Sequence, residues 1–560
     1  MDVSRASVAQ VIPLVGQLRH YPAGSARADL VTALSMAVTL LPQGLAYGVL
    51  AGLHPAAGLY TAMGSAIVFA LLTGTRFVAV GASSTMALLT FTTVHDRAGG
   101  DQGRAVALTA ALSVLVGLWC LLGALLRLQG IAEFLSSPVM LGYLAGVGIE
   151  MIAGQVGPLL GIPTPHPEPI VKLWYALTHL ELSQPLTAAT GVGGLIVIVL
   201  LKRFLTAVPA GLVVCLAAIG ISAAADLAQR GVAVVGTVSG GLPTPARVLL
   251  VSWNDVYALL LPALGMALIA SIETVSAVRR TGIDLAGRIV LSRETASLGA
   301  ASIATGALGG FPPMASTSRT MTAQAGARSQ LFQLFTAAIV MFVLVSGGPL
   351  IALLPMAVLA AIVVVSAPKL IDITGFLRLW HGWRAESVIA LVTVVGVVGL
   401  GVLRGLIVAV ILSTGQLLRR TARPHDTLLA VHPGQQAPSE IAEGASPHPE
   451  ILIYRVDAPL FFANARRIRQ RVLSLVTTVE PRPRCVIMDA EAVFYVDATA
   501  AETLAELAAE LQALDCRLVL ASVHGPVVAV LRANPYHDGA TQRLRVFPTV
   551  VEAFATMRGA

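Results

Sequence analysis

Apolar stretches close to a bilayer's thickness recur along this chain, at 30–50, 106–126, 192–201 with its flanks, 255–275 and 387–412. A helix needs about 20 such residues to cross a membrane. Inside the hydrocarbon only helices and closed barrels satisfy their own backbone. The repetition therefore commits the chain to a polytopic α-helical membrane protein. Composition agrees. Only 12% of residues are charged and 56% are hydrophobic, whereas soluble domains carry about 25% charged residues. The N-terminal segment holds Arg5, Arg19, His20 and Pro22 and lacks an apolar run, so the first apolar helix is expected to stay as a span.

The net charge of +7 invites a nucleic-acid reading, but the distribution argues against it. With fourteen spans and both termini cytoplasmic, roughly 18 Lys/Arg fall on short inner segments and about 6 on outer ones. Arg76, Arg127, Lys202, Arg203, Arg279, Arg280, Lys369, Arg384 and Arg419 belong to the inner set. The basic excess is topological. It suits a multi-pass protein of the cell's inner membrane and no nucleic-acid partner. Cys120, Cys215, Cys485 and Cys516 show no paired spacing and read as buried thiols. No nucleophile–base arrangement or metal cluster is visible, so neither an enzyme nor a cofactor or metal site is expected.

Organisation changes near residue 421. Residues 1–28 read as a cytoplasmic N-terminal segment and 29–420 as the membrane domain. Residues 421–449 are polar, Pro/Gly/Ala/Ser-rich and aperiodic, which reads as a linker. From 450 to 560 the pattern alternates between short apolar runs (ILIYRV, CVIMDA, RLVLASV) and helical stretches at 463–476 and 498–514. That alternation predicts a small soluble α/β domain.

The membrane part divides into halves, about 29–225 and 255–420, and each half holds one interruption. In the first it is FVAVGASSTMALLT (77–90), in the second GGFPPMASTSRTMTA (309–323). Paired interruptions at matching places point to a transport site built from inverted repeats. Backbone exposed at mid-membrane depth is tolerated only inside protein or along a wet cavity. A helix starting there turns its free N–H groups into the cavity, and those donors favour an anion. Helix starts near 82 and 315 would aim two positive ends at one spot. Ser83, Ser84, Thr85, Ser316, Thr317 and Ser318 add hydroxyls, and Arg319 adds a permanent charge. Small-residue runs also serve close helix packing, and an Arg near the interface can snorkel; both readings stand beside the site reading.

Glu273 lies within the apolar run 261–280. An intramembrane acid defaults to function: Glu273 could hold a proton or a cation, or balance Arg319. Glu150 is a second such acid with no obvious partner, read as a packing or outer-vestibule residue. In LLPQGLAYGVLAGLHPAAGLY (40–60), Gln43 and Tyr47 are four apart and share a helical face. Gln43 can donate to an anion and Tyr47 can close a site with its ring.

These segments together resemble the SulP family of anion transporters, the sulfate permease or solute carrier 26 group. Residues 40–60, GTRFVAVGASSTMAL and GFPPMASTSRTMTAQAGARSQL are similar to its first, third and tenth spans. YRVDAPLFFANA (454–465) and VIMDAEAVFYVDATAA (486–501) resemble its STAS domain. The resemblance implies seven plus seven inverted spans in a core and a gate domain, homodimers, and elevator-like motion of the core. It implies a site between spans 3 and 10 lined by Gln43, Tyr47, Ser83, Ser84, Glu273, Ala315, Ser316, Thr317, Ser318 and Arg319, with Ala315 and Ser316 acting through backbone amides. Two departures stand out. Gly81-Ala82 replaces the usual Gly-Pro, and Ser83 a frequent aromatic, which suggests a roomier, more polar pocket. In sodium-coupled members the span-8 acid is Asp, with a Thr four residues on; Glu273 and Ala277 stand here. Losing a hard oxygen ligand disfavours sodium and shifts the expectation to proton coupling.

The expected function is secondary active transport of a small inorganic or carboxylate anion, sulfate foremost, with a proton as coupling ion. The alternatives are sodium-coupled or exchange-type transport of bicarbonate, chloride or dicarboxylates, a nucleobase carrier, and a membrane-anchored sensor whose output is the STAS domain. A cytoplasmic regulator is an expected STAS partner. Thr499 in the Asp497-Ala498-Thr499-Ala500 segment reads as a helix N-cap or a phosphosite.

Overall fold

The computed structural model describes residues 12–19, 21–22, 24–127, 136–164, 168–205, 208–236, 251–281, 290–431, 438–441, 448–533 and 545–558. The N-terminal segment through residue 11 and residues 432–437 and 442–447 of the expected linker lie outside the described residues. The chain forms two compact units, Met1–Ser413 and Thr414–Ala560.

The membrane unit is built from helices. After a short α1 (Pro13–Arg19) come α2 (Ser25–Leu50), α3 (Ala56–Leu72), a two-residue β1 (Val80–Gly81) leading into α4 (Ser84–Ala98), α5 (Gln102–Leu125) and α6 (Ser137–Leu160). Then follow α7 (Pro169–Thr178), α8 (Pro185–Phe204) and α9 (Ala210–Ala225). The second half repeats the plan: α10 (Trp253–Arg280), α11 (Leu291–Ala307), β2 (Met314–Ala315) leading into α12 (Thr317–Gly326), α13 (Leu331–Ser346), a short α14 (Gly348–Ala352), α15 (Met356–Ser366), α16 (Ile373–Gly382), α17 (Arg384–Leu400) and α18 (Val402–Ala422). In both halves a long helix, a shorter helix and a strand-plus-half-helix follow in that order.

Among the described residues, six helices are long and apolar enough to cross a membrane by themselves, or seven when the bent pair α12–α13 counts as one span. In two further spans strand backbone replaces helix, at β1 and β2. The helix α12 also breaks from α13 with a bend of 114°. Large apolar side chains face outward, as a lipid-facing surface requires: Leu125 is 79% exposed and Phe342 69%.

The helices group into two bundles. One packs α2, α3, α4, α5, α10, α11, α12 and α13 together; the other packs α6, α7, α8, α9, α15 and α17. Close packing rests on small residues, because lipid supplies no hydrophobic drive between helices. A Cβ on Gly58 of α3 would lie 1.8 Å from the Gly44 carbonyl oxygen of α2. A Cβ on Gly117 of α5 would lie 2.6 Å from the Gly299 carbonyl oxygen of α11. Neither position holds any side chain without moving a helix.

The C-terminal unit is a six-stranded sheet of β3 (Asp426–Ala430), β4 (Ser439–Glu440), β5 (Ile451–Val456), β6 (Cys485–Asp489), β7 (Arg517–Ala521) and β8 (Arg545–Phe547), in the order β4-β3-β5-β6-β7-β8. The strands β5 to β8 are parallel, and β3 and β4 are antiparallel additions. Parallel strands are buried on both faces. Val486 and Met488 of β6 enter one core, with residues of α19 (Ala465–Thr478), α20 (Ala498–Ala513) and α21 (Gly525–Arg532). Cys485 and Ile487 enter the other, under α22 (Val550–Arg558). All four cysteines are free and buried.

Two expectations differ from this structure. The stretch 421–449 contributes β3 and β4 to the sheet. Its polar composition hid them, because the edge of β5 supplies the pairing that the local sequence does not announce. Thr499 is not the cap of α20: the Asp497 carboxylate takes that place, accepting from the Ala500 amide at 2.8 Å.

Because Gly58 and Gly44 leave no space between α2 and α3, Gly58→Val is expected to lower stability by about 1–3 kcal/mol, the usual penalty of overpacking. Thermal unfolding of the purified protein in detergent checks it; an unchanged midpoint would contradict this packing.

Candidate functional site

The strands β1 and β2 pair with each other antiparallel, Val80 opposite Ala315 and Gly81 opposite Met314. Antiparallel strands run in opposite directions, so the helices that follow them leave in opposite directions. The N-termini of α4 and α12 therefore face each other. Each is capped by a serine in extended conformation. The Ser83 hydroxyl accepts from the Met86 amide at 3.4 Å. The Ser316 hydroxyl accepts from the Arg319 amide at 3.5 Å. The amides of Ala87 and Thr320 turn back to the carbonyls of Ser83 and Ser316. Every helix start leaves its first amides without an intrahelical acceptor; here those of Ser84, Thr85, Thr317 and Ser318 have no cap among the described residues.

The extended backbone is satisfied by buried side chains from neighbouring helices. Around β1, the Ala79 amide donates to the Thr320 hydroxyl at 3.1 Å and the Val80 amide to Gln333 Oε1 at 3.3 Å. The side-chain amides of Gln330 and Gln333 both donate to the Val78 carbonyl. Ahead of β2, the Phe311 amide donates to the Thr61 hydroxyl at 2.9 Å, and the Ser113 hydroxyl donates to the Gly310 carbonyl at 3.1 Å. The buried Glu294 carboxylate accepts from the Gly74 amide at 2.8 Å and from the Thr73 hydroxyl, which fixes the approach to β1. Fully buried Asp29 accepts from the Arg328 and Ser329 amides, the Ser329 hydroxyl and the Tyr21 hydroxyl. That clasp ties the break between α12 and α13 to the start of α2.

Sequence reading missed this supporting set. Its one available signal was the pair of polar residues, Gln330 and Gln333, three apart at the head of an apolar helix.

Arg319 reaches back from α12 toward the other half. Its Nη1 donates to the Ala82 carbonyl at 3.0 Å. Its Nε and Nη2 are buried and have no hydrogen-bond partner among the described residues. The guanidinium crowds Gly81, where a Cβ would sit 3.4 Å from Nη2. Buried Tyr47 of α2 neighbours Arg319, Ser84 and Ser366. Gln43 is half-buried one turn earlier on α2, and its amide makes no hydrogen bond among the described residues. Ser316 and Ser318 place their hydroxyls 3.2 Å apart, with Ser318 exposed.

Two roles differ from expectation. The Ser316 amide does not face outward; it donates to the Ala79 carbonyl at 3.0 Å, completing the strand pair. That bond makes Val80–Ala315 a non-hydrogen-bonded pair, whose amides point away from the partner strand. Ala315 thus keeps an outward amide while Ser316 does not. Glu273 does not balance Arg319: the two form no ion pair, and the charged neighbour of Glu273 is Arg280, two turns along the same helix.

The comparisons with known proteins agree with this architecture. The sulfate permease family profile matches residues 27–393, and the STAS domain profile matches residues 445–553. The chain belongs to the sulfate permease family. A probable sulfate transporter of Mycobacterium tuberculosis is 36% identical over 547 residues, 97% of this chain and 98% of that one. Human solute carrier family 26 member 6 is 28% identical over 492 residues, 82% of this chain and 64% of that one. The structure of murine Solute Carrier 26 family member A9 in the inward-facing state superposes with a TM-score of 0.90 at 19% identity, covering 99% of this chain and 95% of that one. The fold is thus the 7+7 inverted repeat with a C-terminal STAS domain, as the sequence led us to expect. Within the sulfate permease family this chain is a multi-pass anion transporter and not an enzyme.

Gln333 serves two backbone groups at once, which makes it the sharpest test of the strand pair. Gln333→Leu leaves the Val80 amide unpaired, at about 1–3 kcal/mol for a buried orphan. The expected result is a lower unfolding midpoint than that of wild type, measured by thermal unfolding. A midpoint equal to wild type would show that the bonds to Val78 and Val80 do not hold β1.

Proposed function

We propose that this transporter carries a small oxyanion, sulfate foremost, and that the anion sits between the starts of α4 and α12. The observation that carries this reading is Arg319. A permanent cation lies at two facing helix N-termini, with two orphaned guanidinium donors and no carboxylate paired to it. Three positive elements converge there, and a buried unpaired charge costs several kcal/mol. An anion removes that cost. It would take the free donors of Arg319, the first-turn amides of Ser84, Thr85, Thr317 and Ser318, and the Ala315 amide. The hydroxyls of Ser83 and Ser316 cap and shape the helix starts, and Gln43 and Tyr47 close the site from α2. Tetrahedral sulfate offers four oxygens to donors arriving from both sides. Support for sulfate comes from the Mycobacterium tuberculosis relative, named a probable sulfate transporter.

Coupling follows from the acid on α10. Glu273 sits on α10, which packs against β2, α4 and α12, and it makes no ion pair with Arg319. A carboxyl in that position suits a proton better than sodium, because Ala277 supplies no oxygen one turn on. The two-bundle packing suits elevator-like alternating access, with the bundle that holds the site moving against the other. In this reading the protein works as a homodimer in the inner membrane, with both termini cytoplasmic and the STAS domain open to a cytoplasmic regulator.

Arg319→Ala is expected to raise the half-saturating sulfate concentration roughly tenfold to a hundredfold, from the loss of about 1.5–3 kcal/mol per charged hydrogen bond. Uptake of labelled sulfate into proteoliposomes measures it, and wild-type affinity would remove Arg319 from the site. Glu273→Gln is expected to abolish uptake driven by a pH gradient while leaving sulfate binding in place. Unchanged proton-driven uptake in that variant would end the proton role of Glu273.

A further inference from the structure

A second intramembrane acid stands outside the site. Glu150 lies midway along α6, in the other bundle, and is 2% exposed. Its Oε2 has no hydrogen-bond partner, and neither has the hydroxyl of Tyr143, which is 0% exposed. The two residues are seven apart, so they lie on one face of α6, separated by about 10 Å along the axis. Across the boundary between bundles, Glu273 of α10 is a charged neighbour of Tyr143, as Glu150 is. Tyr143 thus has a carboxyl of each bundle in its neighbourhood.

No cation pairs with this group among the described residues. Charged residues on the elements packed against α6 include Lys172 of α7, Lys202 and Arg203 of α8, Lys369 after α15, Asp372 and Arg378 of α16, Arg384 and Glu386 of α17, and His95, Asp96 and Arg97 of α4. None of them forms a hydrogen bond or an ion pair with Glu150 among the described residues. The Lys172 ammonium is placed instead over the Phe91 ring, 4.8 Å from its centre. A buried carboxylate with neither cation nor donor is costly, and taking up a proton removes the charge.

We propose that Glu150 is a proton-binding site of this transporter, facing the opposite bundle through Tyr143, and that the transport cycle loads and unloads its proton. The carboxyl holds its proton while α6 packs closed against the other bundle. Movement that wets the face of α6 releases it. The site is separate from Glu273, which lies on α10 in the opposite bundle. Only the cycling part of this inference rests on the transport reading above.

Infrared difference spectroscopy of the full chain in lipid, without any flux, tests the site. Glu150→Gln is expected to remove one carbonyl band of a protonated carboxylic acid at neutral pH. Glu150→Asp, which keeps an acid on the same face, is expected to shift the same band without removing it. Loss of a carboxylate band in Glu150→Gln, or a protonated-acid region identical to wild type, overturns the proposal. Should Glu150→Gln fail to fold, an unshifted band in Glu150→Asp overturns it equally. The cycling part is read in proteoliposomes: the ratio of sulfate uptake at acidic to alkaline pH is expected to fall toward one in Glu150→Gln. A wild-type ratio overturns that part. Arg319→Ala separates the two readings, because it weakens sulfate uptake and is expected to leave the Glu150 band in place.

Discussion

A polypeptide that abandons helix inside a membrane must satisfy its backbone some other way, and this constraint organises the whole transport unit. β1 and β2 break two spans. They answer part of the demand by pairing with each other. The rest is answered by Thr61, Ser113, Thr320, Gln330 and Gln333, reaching in from four different helices. An unpaired backbone group in hydrocarbon costs several kcal/mol, so these side chains are conditions for the strands to exist. The helices that carry them are thereby held around the strands in one bundle.

The same pairing creates the electrostatics of the site. An antiparallel two-stranded ladder at the centre of an inverted repeat can only send its following helices apart. Their starts then meet, and the positive ends of two dipoles sum where they meet. Arg319 adds a third positive element at the place where helix geometry least favours a cation. In a resting fold this would be destabilising. It becomes sensible when the missing partner is a substrate that brings its own negative charge. Glu273 and Glu150 lie on different helices, one in each bundle, and neither neutralises Arg319.

Much of this was legible in one dimension. The recurring apolar runs set the class, and the two polar interruptions announced the half-helices within two residues of their starts. Arg319 was readable because a cation inside an apolar span is rare for energetic reasons. What escaped notice was the supporting layer. Glu294 and Asp29 serve loops far away in sequence, about 220 and 300 residues off in the contacts they make. Nothing local to an acid says which distant amide it will accept from. The strands β3 and β4 escaped for a related reason, since an edge strand takes its identity from the neighbour it pairs with.

By itself the sequence determined the helical membrane class and the α/β character of the C-terminal part, because helix formation and membrane insertion depend on local apolar length. It also determined which residues bring charge and hydroxyls to the interruptions. Only the tertiary structure decided how those groups divide their work. Ser316 gives its amide to the strand pair and its hydroxyl to the cap, whereas Ala315 keeps an outward amide. Arg319 is left with two free donors because no carboxylate pairs with it among the described residues. Hydrogen-bond register and side-chain reach are set by the distance between segments that meet only after folding, and no spacing along the chain encodes that distance.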